Sequence, residues 1–209
     1  MPAGRAGMDA LREQFGEIDI YLFDQLLRGR VPPGATVFDA GCGTGRNLVY
    51  LLRAGHPVFA ADRNPEAIAA VRSLAARLAP HMPANNFRCE PLEALSFADG
   101  CADVTISSAV LHFARDDAHF DAMLQATWRT VRRGGMLFCR LASSMGIEDR
   151  IEAIGSGRFR LPDGSDRFLV DARRLLALTK DMGAELLDPL KTTNVQDQRC
   201  MTTWVVRRI

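Results

Sequence analysis

The chain has 209 residues, 47% of them hydrophobic, enough for one sizeable core and too few to fill two independent ones comfortably, so a single domain over 1–209 is expected. Its formal net charge is +1 with acids and bases interspersed, which gives no electrostatic reason to expect a nucleic acid or a membrane surface as partner. The basic residues are almost all arginine, Lys180 and Lys191 excepted, a bias that a GC-rich genome explains as readily as anion binding does.

In chain order, QFGEIDIYLFDQLLRG (14–29) carries apolar residues at helical intervals ahead of the first strand. TVFDA (36–40) is a short apolar run ending in a glycine-rich turn, and RNLVYLLRAG (46–55) has helical spacing with Gly55 as its stop. PVFAAD (57–62) reads as the next strand. Pro65 then sits where a first helical turn accepts proline, with Glu66 beside it and a helix running to Ala79. NNFRCEP (85–91) and ADVTISSAV (102–110) follow, then a helix through DAHFDAMLQATWRTVRR (117–133) closed by Gly134 and Gly135, and MLFCRLA (136–142) as the fifth strand. Residues 143–170, punctuated by Gly146, Gly155, Gly157, Pro162 and Gly164, lack clear periodicity and read as a long excursion over the sheet, longer than an idle loop usually is. Asp171 can cap a helix through Met182. AELLDPLKTTNV (184–195) and RCMTTWVVRRI (199–209) then read as two strands joined by a turn at Gln196 to Gln198. Strands separated by helices of this length imply parallel pairing with right-handed crossovers. The expectation is an α/β, doubly wound, Rossmann-like sheet of seven mostly parallel strands with an antiparallel last strand, binding its ligand at the carboxyl ends.

Five cysteines, Cys42, Cys89, Cys101, Cys139 and Cys200, are odd in number and form no CxxC pair with a matching second half, which weighs against a disulfide framework and a zinc site. No metal is expected, and reduced thiols fit a cytoplasmic protein. The first 17 residues lack the continuous apolar stretch of a secretory leader, and no later run is as long as a membrane span.

The chemistry concentrates in VFDAGCGTGRN (37–47). Glycines at a strand-to-helix turn let the backbone approach a ligand closely, so a nucleotide-like ligand is the first reading. A dinucleotide fingerprint needs GxGxxG, and here the third glycine's place is taken by Arg46. Asp39 would repel a diphosphate but attract a cationic ligand end. S-adenosylmethionine has such an end, in its ammonium and its sulfonium. Asp62 closes the second strand where an acid accepts hydrogen bonds from both ribose hydroxyls, unless it merely caps the helix that follows.

With VFDAGCGTGRN, AADRNPEAI (60–68), EALSFADGCADVTISSAVLHF (93–113) and RTVRRGGML (129–137) as carriers, the sequence resembles the class I S-adenosylmethionine-dependent methyltransferases, in their small-molecule branch, from about Thr36 to Ala142. The resemblance implies an acid after the third strand, against the adenine amino group. Pro91 stands at that place, so either Glu90 serves one residue early or Pro91 and Leu92 hold the ring through apolar contact and a backbone amide. It also implies that the segment after Ser107 and Ser108 lies beside the sulfonium and the acceptor, which makes His112 the candidate catalytic residue, as a general base or a substrate hydrogen bond, or else a buried structural histidine. The N-terminal segment 1–30 would be a helical lid with Phe15 and Tyr21 near the sulfonium, or a plain amphipathic helix covering the sheet. The residues expected at the cofactor are thus Asp39, Gly41, Cys42, Gly43, Gly45, Asp62, Arg63, Pro91, Leu92, Ser107 and Tyr21. The excursion would wall the acceptor pocket. If two of its arginines, Arg150, Arg158, Arg160 and Arg167, converge with Arg140, the acceptor is anionic; otherwise they are solvated surface groups.

Methyl transfer to a small-molecule acceptor, by a monomer or homodimer, is the functional reading. Two rivals are a non-catalytic S-adenosylmethionine-binding sensor or partner module, which the Asp39 and Asp62 motifs do not distinguish, and an NAD-dependent oxidoreductase, against which Arg46 argues.

Overall fold

The computed structural model describes residues 3–209, with side chains from residue 9 onward; residues 1 and 2 of the expected lid lie outside the described residues. Helices α1 (Ala3–Phe15) and α2 (Ile20–Leu27) precede a run of β1 (Val37–Ala40), α3 (Val49–Arg53), β2 (Val58–Asp62), α4 (Pro65–Leu78), β3 (Phe87–Cys89), β4 (Ala102–Ser108), α5 (Asp117–Arg129) and β5 (Val131–Ser143). Then come β6 (Glu152–Gly155), β7 (Arg158–Arg160), β8 (Asp166–Phe168), α6 (Ala172–Asp181), β9 (Ala184–Leu186), β10 (Lys191–Val195) and β11 (Arg199–Arg208). Among the described residues no helix is long and apolar enough to cross a membrane.

The main sheet runs β10-β11-β5-β4-β1-β2-β3, seven strands abreast, parallel from β3 to β5 and reversed at β11, which is antiparallel to β5. Strand β9 makes an eighth only nominally. It pairs with β11 at Leu186↔Val206 while β10 pairs further along at Lys191↔Thr203, so the two are one lane interrupted between residues 187 and 190. Pro189 falls in that gap and has no N–H to offer the ladder. Asp188 beside it turns inward, where Arg30 Nη1 donates to its Oδ2 at 2.7 Å, tying the segment after α2 to the interrupted strand.

Alternation along the strands sorts the core onto both faces, as a doubly wound sheet requires. Leu137, Cys139 and Trp204 pack with Phe120, Leu124 and Trp128 of α5 and Leu175 of α6. Val37, Val58, Val104 and Phe138 face the other way, against Leu22, Leu51, Ile68 and Val71 of α2, α3 and α4. Each such side chain removed from water contributes about 1.5–3 kcal/mol. Trp204 can be fully buried because its indole N–H donates to Thr179 Oγ1 at 2.9 Å.

Four local readings of the sequence need correction. The N-terminal segment is two helices, because Asp19 accepts a hydrogen bond from Tyr21 N–H at 3.0 Å and starts α2 afresh. The run 46–55 yields only the short α3, Val49–Arg53. Helix α5 stops at Arg129, not at the glycine pair: Val131 already pairs with Ala102, and Gly135 lets β5 cross Asp103 O, where a β-carbon would sit 2.8 Å away. The excursion is not irregular chain, since β6, β7 and β8 form a three-stranded antiparallel sheet. Strand β6 is exposed throughout, so it has no buried face and no apolar alternation to read.

Candidate active site

Everything that converges at the carboxyl edge of the parallel strands does so around one cavity of about 660 Å³, where the strand order reverses between β1 and β4. Its walls come from the turn after β1, the ends of β2, β4 and β5, one face of α5, the turn between β7 and β8, and the β10–β11 hairpin.

The glycine turn is anchored to the second strand: Gly41 N–H and Cys42 N–H both donate to Ala61 O, at 2.8 and 3.0 Å, and Gly43 N–H donates to Asp62 Oδ2 at 2.9 Å. Gly43, at φ 52°, would point a β-carbon into open space, so this stretch of backbone is bare toward the cavity. Gly45 does a different job. At φ 85° it faces α4, where a β-carbon would lie 3.1 Å from both Val71 and Leu74, and it does not line the cavity. Asp62 is not the helix cap, since Asn64 takes that role by accepting from Glu66 N–H at 2.9 Å. Asp62 Oδ1 accepts from Asn64 N–H at 2.9 Å. The carboxylate thus keeps acceptor capacity to spare on both oxygens.

Asp39 lies beneath this turn, 1% exposed, with no hydrogen-bond partner for Oδ2. Burial pushes its carboxyl up to about 7; Arg46 opposes that shift and Asp62 adds to it. Such an orphaned buried oxygen is the kind of group that a cationic ligand end would satisfy.

Asp39 itself does not line the cavity, whereas of the other residues read from the sequence Gly41, Cys42, Gly43, Asp62, Arg63, Leu92 and His112 do. Ser107 does not: it is fully buried in the sheet, and its neighbour Ser108 takes the place. Pro91 lies outside the lining and Leu92 inside it, while Glu90 is engaged with Ser96 N–H at 2.8 Å. Tyr21 is held off the cavity, its hydroxyl 2.5 Å from Thr193 Oγ1 and its ring under the Arg140 guanidinium. Phe15 stacks on Tyr50 and meets Phe23 edge-on, away from the cavity. Of the excursion's arginines only Arg167 reaches the lining, so the expected pair does not assemble there; Arg150 and Arg160 pair with Asp197 and Asp166. Arg199, from β11, stands in its place.

His112 is buried and its Nδ1 accepts from Ala142 N–H at 3.2 Å. Burial, reinforced by Arg167 and Arg140, pushes its pKa down to about 4, so at neutral pH the ring is uncharged and Nε2 carries the hydrogen. With Nδ1 already accepting, Nε2–H is the donor that this lining residue has to offer, and no free lone pair is left for a base.

One residue that matters was not singled out from the sequence. Asp19, the cap of α2, has its side chain only 2% exposed, and Oδ2 meets Ser108 Oγ at 3.0 Å, Arg46 Nη2 at 3.4 Å and Arg140 Nη1 at 3.5 Å. Asn47 Oδ1 accepts its backbone N–H at 3.0 Å. Arg46, read from the sequence only as a missing glycine, is thereby a strut joining the glycine turn to the start of α2. An aspartate directly before an apolar helical run was the available signal. Five further lining residues, His119, Met123, Asp163, Val195 and Met201, come from elements remote in sequence and carried no such signal.

With this geometry in place, comparison with known proteins shows what the chain is similar to. Residues 38–139 match the model of a family described as a methyltransferase domain. The uncharacterized methyltransferase YodH of Bacillus subtilis is 31% identical over 105 residues, half of this chain and 42% of that protein, so the chain spans less than half the length of this relative. Among solved structures, the 1,6-didemethyltoxoflavin-N1-methyltransferase of Burkholderia thailandensis, with bound 1,6-didemethyltoxoflavin and S-adenosylhomocysteine, superposes with a TM-score of 0.64 at 19% identity, over 98% of this chain and 83% of that one. The magnesium protoporphyrin IX methyltransferase of Synechocystis PCC 6803, with bound S-adenosylmethionine, gives 0.64 at 17% identity, over 97% and 91%. A [4+2]-cyclase, SpnF, gives 0.69 at 16% identity, over 90% and 80%. Just under half of the chain is thus similar to a methyltransferase domain, and its sheet has the Rossmann-like fold of the S-adenosylmethionine-dependent methyltransferases among these structures.

Proposed function

We propose that the protein, acting as one cytoplasmic domain over 1–209, transfers a methyl group from S-adenosylmethionine to a small-molecule acceptor. One observation carries the reading: a bare glycine turn after β1 is tied to a carboxylate at the end of β2, and the cavity they open continues past them to His112 and Arg140. That arrangement supplies a donor half and an acceptor half in line. The neighbours crystallised with S-adenosylmethionine or S-adenosylhomocysteine support the donor, and the toxoflavin precursor in one of them supports a small acceptor.

S-adenosylmethionine brings a methyl group already activated on sulfur, so the protein's task is alignment, which alone supplies much of the rate. Asp62 keeps lone pairs for two ribose hydroxyls after serving Gly43 and Asn64. Leu92 and Met123 offer apolar surface to a flat base, with Glu93 and His119 at its edge, 3.1 Å apart. Asp39 sets negative charge beneath the turn for the ammonium, and Arg46 sets positive charge beside it for the carboxylate of the same amino acid end. His112 donates from Nε2 rather than removing a proton.

The [4+2]-cyclase on the same fold keeps a second reading in play, binding without methyl transfer. Calorimetric titration with S-adenosylmethionine and NAD, followed by a screen for S-adenosylhomocysteine release over small acceptors, separates the possibilities. Affinity for S-adenosylmethionine with release is expected. Affinity for NAD alone would sink the reading, and tight S-adenosylmethionine binding with no release over the panel would favour the second.

A further inference from the structure

The acceptor half of the cavity is out of electrostatic balance. Arg140, Arg167 and Arg199 line it, whereas among the described residues two carboxylates lie within 4 Å of them: Asp19, 3.5 Å from Arg140 and shared with Arg46, and Asp163, 3.8 Å from Arg199. Arg140 is more confined than Arg199, its side chain 20% exposed against 58%. Its Nε is buried without a hydrogen-bond partner, and its contact with Asp19 is long at 3.5 Å. Arg167 spends one N–H on a neutral acceptor, Asp166 O at 2.8 Å, and its guanidinium is held 5.0 Å over the Phe113 ring. Asp163 and Asp166 act on it only through space, and among the described residues no carboxylate oxygen comes within 4 Å, so an arginine so braced keeps donors free for an anion.

The Nε2–H of His112 points to the same place by a separate argument. The ring is fixed by Ala142 N–H, lines the cavity, and feels both Arg140 and Arg167 strongly enough for them to contribute to its lowered pKa, so the positive field of the two guanidiniums falls on it. Around this polar spot the surface turns apolar. Phe113 is 51% exposed and Val195 41% exposed although both line the cavity, and Met201 lies with them. Large apolar side chains left open at a cavity mouth await an apolar partner.

We propose that this half of the cavity receives a small organic oxyanion with an apolar body: the anion in the field of Arg140, Arg167 and Arg199 with a hydrogen bond from His112, the body against Phe113, Val195 and Met201. The inference rests on the methyl-transfer reading only in naming this anion as the acceptor. Arg46 is left out of the set because it stands beside the glycine turn, where the donor's own carboxylate would use it.

The test uses protein saturated with S-adenosylhomocysteine, so that the donor's carboxylate is already placed and a second anion must find its own site. Benzoate, phenyl phosphate and the neutral benzamide are titrated in parallel by calorimetry. At least one of the two anions should bind ten-fold or more tighter than benzamide, and which one does tells carboxylate from phosphate. Arg167→Gln and Arg199→Gln should each weaken the anion several-fold while the affinity for S-adenosylhomocysteine holds. Equal binding of all three probes, binding of none, or anion affinity unmoved in the double variant overturns the proposal. The wild-type comparison decides even if a variant fails to fold. Failure of the methyl-transfer reading is seen separately, as absence of S-adenosylhomocysteine binding, and the anion titration is then run on the free protein.

Discussion

At the scale of single residues, two carboxylates beside the glycine turn in space have opposite characters. Asp62 is solvated enough to serve as a clip and still accept more hydrogen bonds, so Asp62→Ala should weaken S-adenosylhomocysteine binding by about 1–3 kcal/mol, the usual cost of unmet partners. An unchanged dissociation constant by calorimetry would reduce it to a brace for the turn. Asp39 is buried and holds its proton up to about pH 7. A cationic ligand end favours the ionised form, so below that pH binding must expel a proton, and affinity should fall as the pH drops from 7 to 5.5. Measured across that window, wild-type protein should show the slope and Asp39→Asn should not; parallel profiles would show that Asp39 never meets the ligand.

At the scale of elements, glycines of one turn separate packing from binding. Gly45→Ala forces a β-carbon against Val71 and Leu74 of α4 in a left-handed backbone and should cost at least about 1–2 kcal/mol of stability by urea denaturation. Gly43→Ala carries the backbone strain but meets no protein atom, so its larger effect should be on S-adenosylhomocysteine affinity. If Gly43→Ala lost stability and kept affinity, the bare face of the turn would not be the ligand's. Helix α2 is held by Asp19, which caps it and faces Arg46 and Arg140 at once. Asp19→Ala should lower stability by at least about 1 kcal/mol, the cap alone contributing about 0.5–2. Trypsin should cut such a variant earlier at Arg12 or Arg28, the sites flanking the break between α1 and α2; an unaltered digestion pattern would show the contact to be idle.

At the scale of the whole molecule, the two-faced core decides which chemistry is open to solvent. Cys42, Cys139 and Cys200 are buried, Cys101 is half-buried and Cys89 alone is exposed, all as free thiols. Burial also raises the pKa of Cys42 and Cys139, which suppresses their thiolates further. Ellman's reagent should therefore titrate Cys89 quickly, Cys101 more slowly, and all five only in denaturant. Fast modification of three or more in the native protein would mean that the sheet opens readily.

The sequence by itself determined the alternation of strands and helices and the donor-side turn, because those are local: periodicity, a proline at a first helical turn, glycines beside two aspartates. Asp39, Gly43 and Asp62 are legible for the same reason, lying within one strand-turn-helix-strand unit. Only the tertiary structure decided the acceptor side. His112, Arg140, Arg167 and Arg199 come from four different elements, and nothing in the spacing of residues 112 to 199 says that they share a wall. It also decided that the excursion folds as a small sheet, that one edge lane is broken at Pro189, and that Arg46 faces Asp19 across 27 residues. Short-range propensity acts over a turn or a strand pair, whereas a cavity wall is set by how whole elements stack. The proposed methyl donor could thus be read from the chain, and the charge proposed for its acceptor only from the fold.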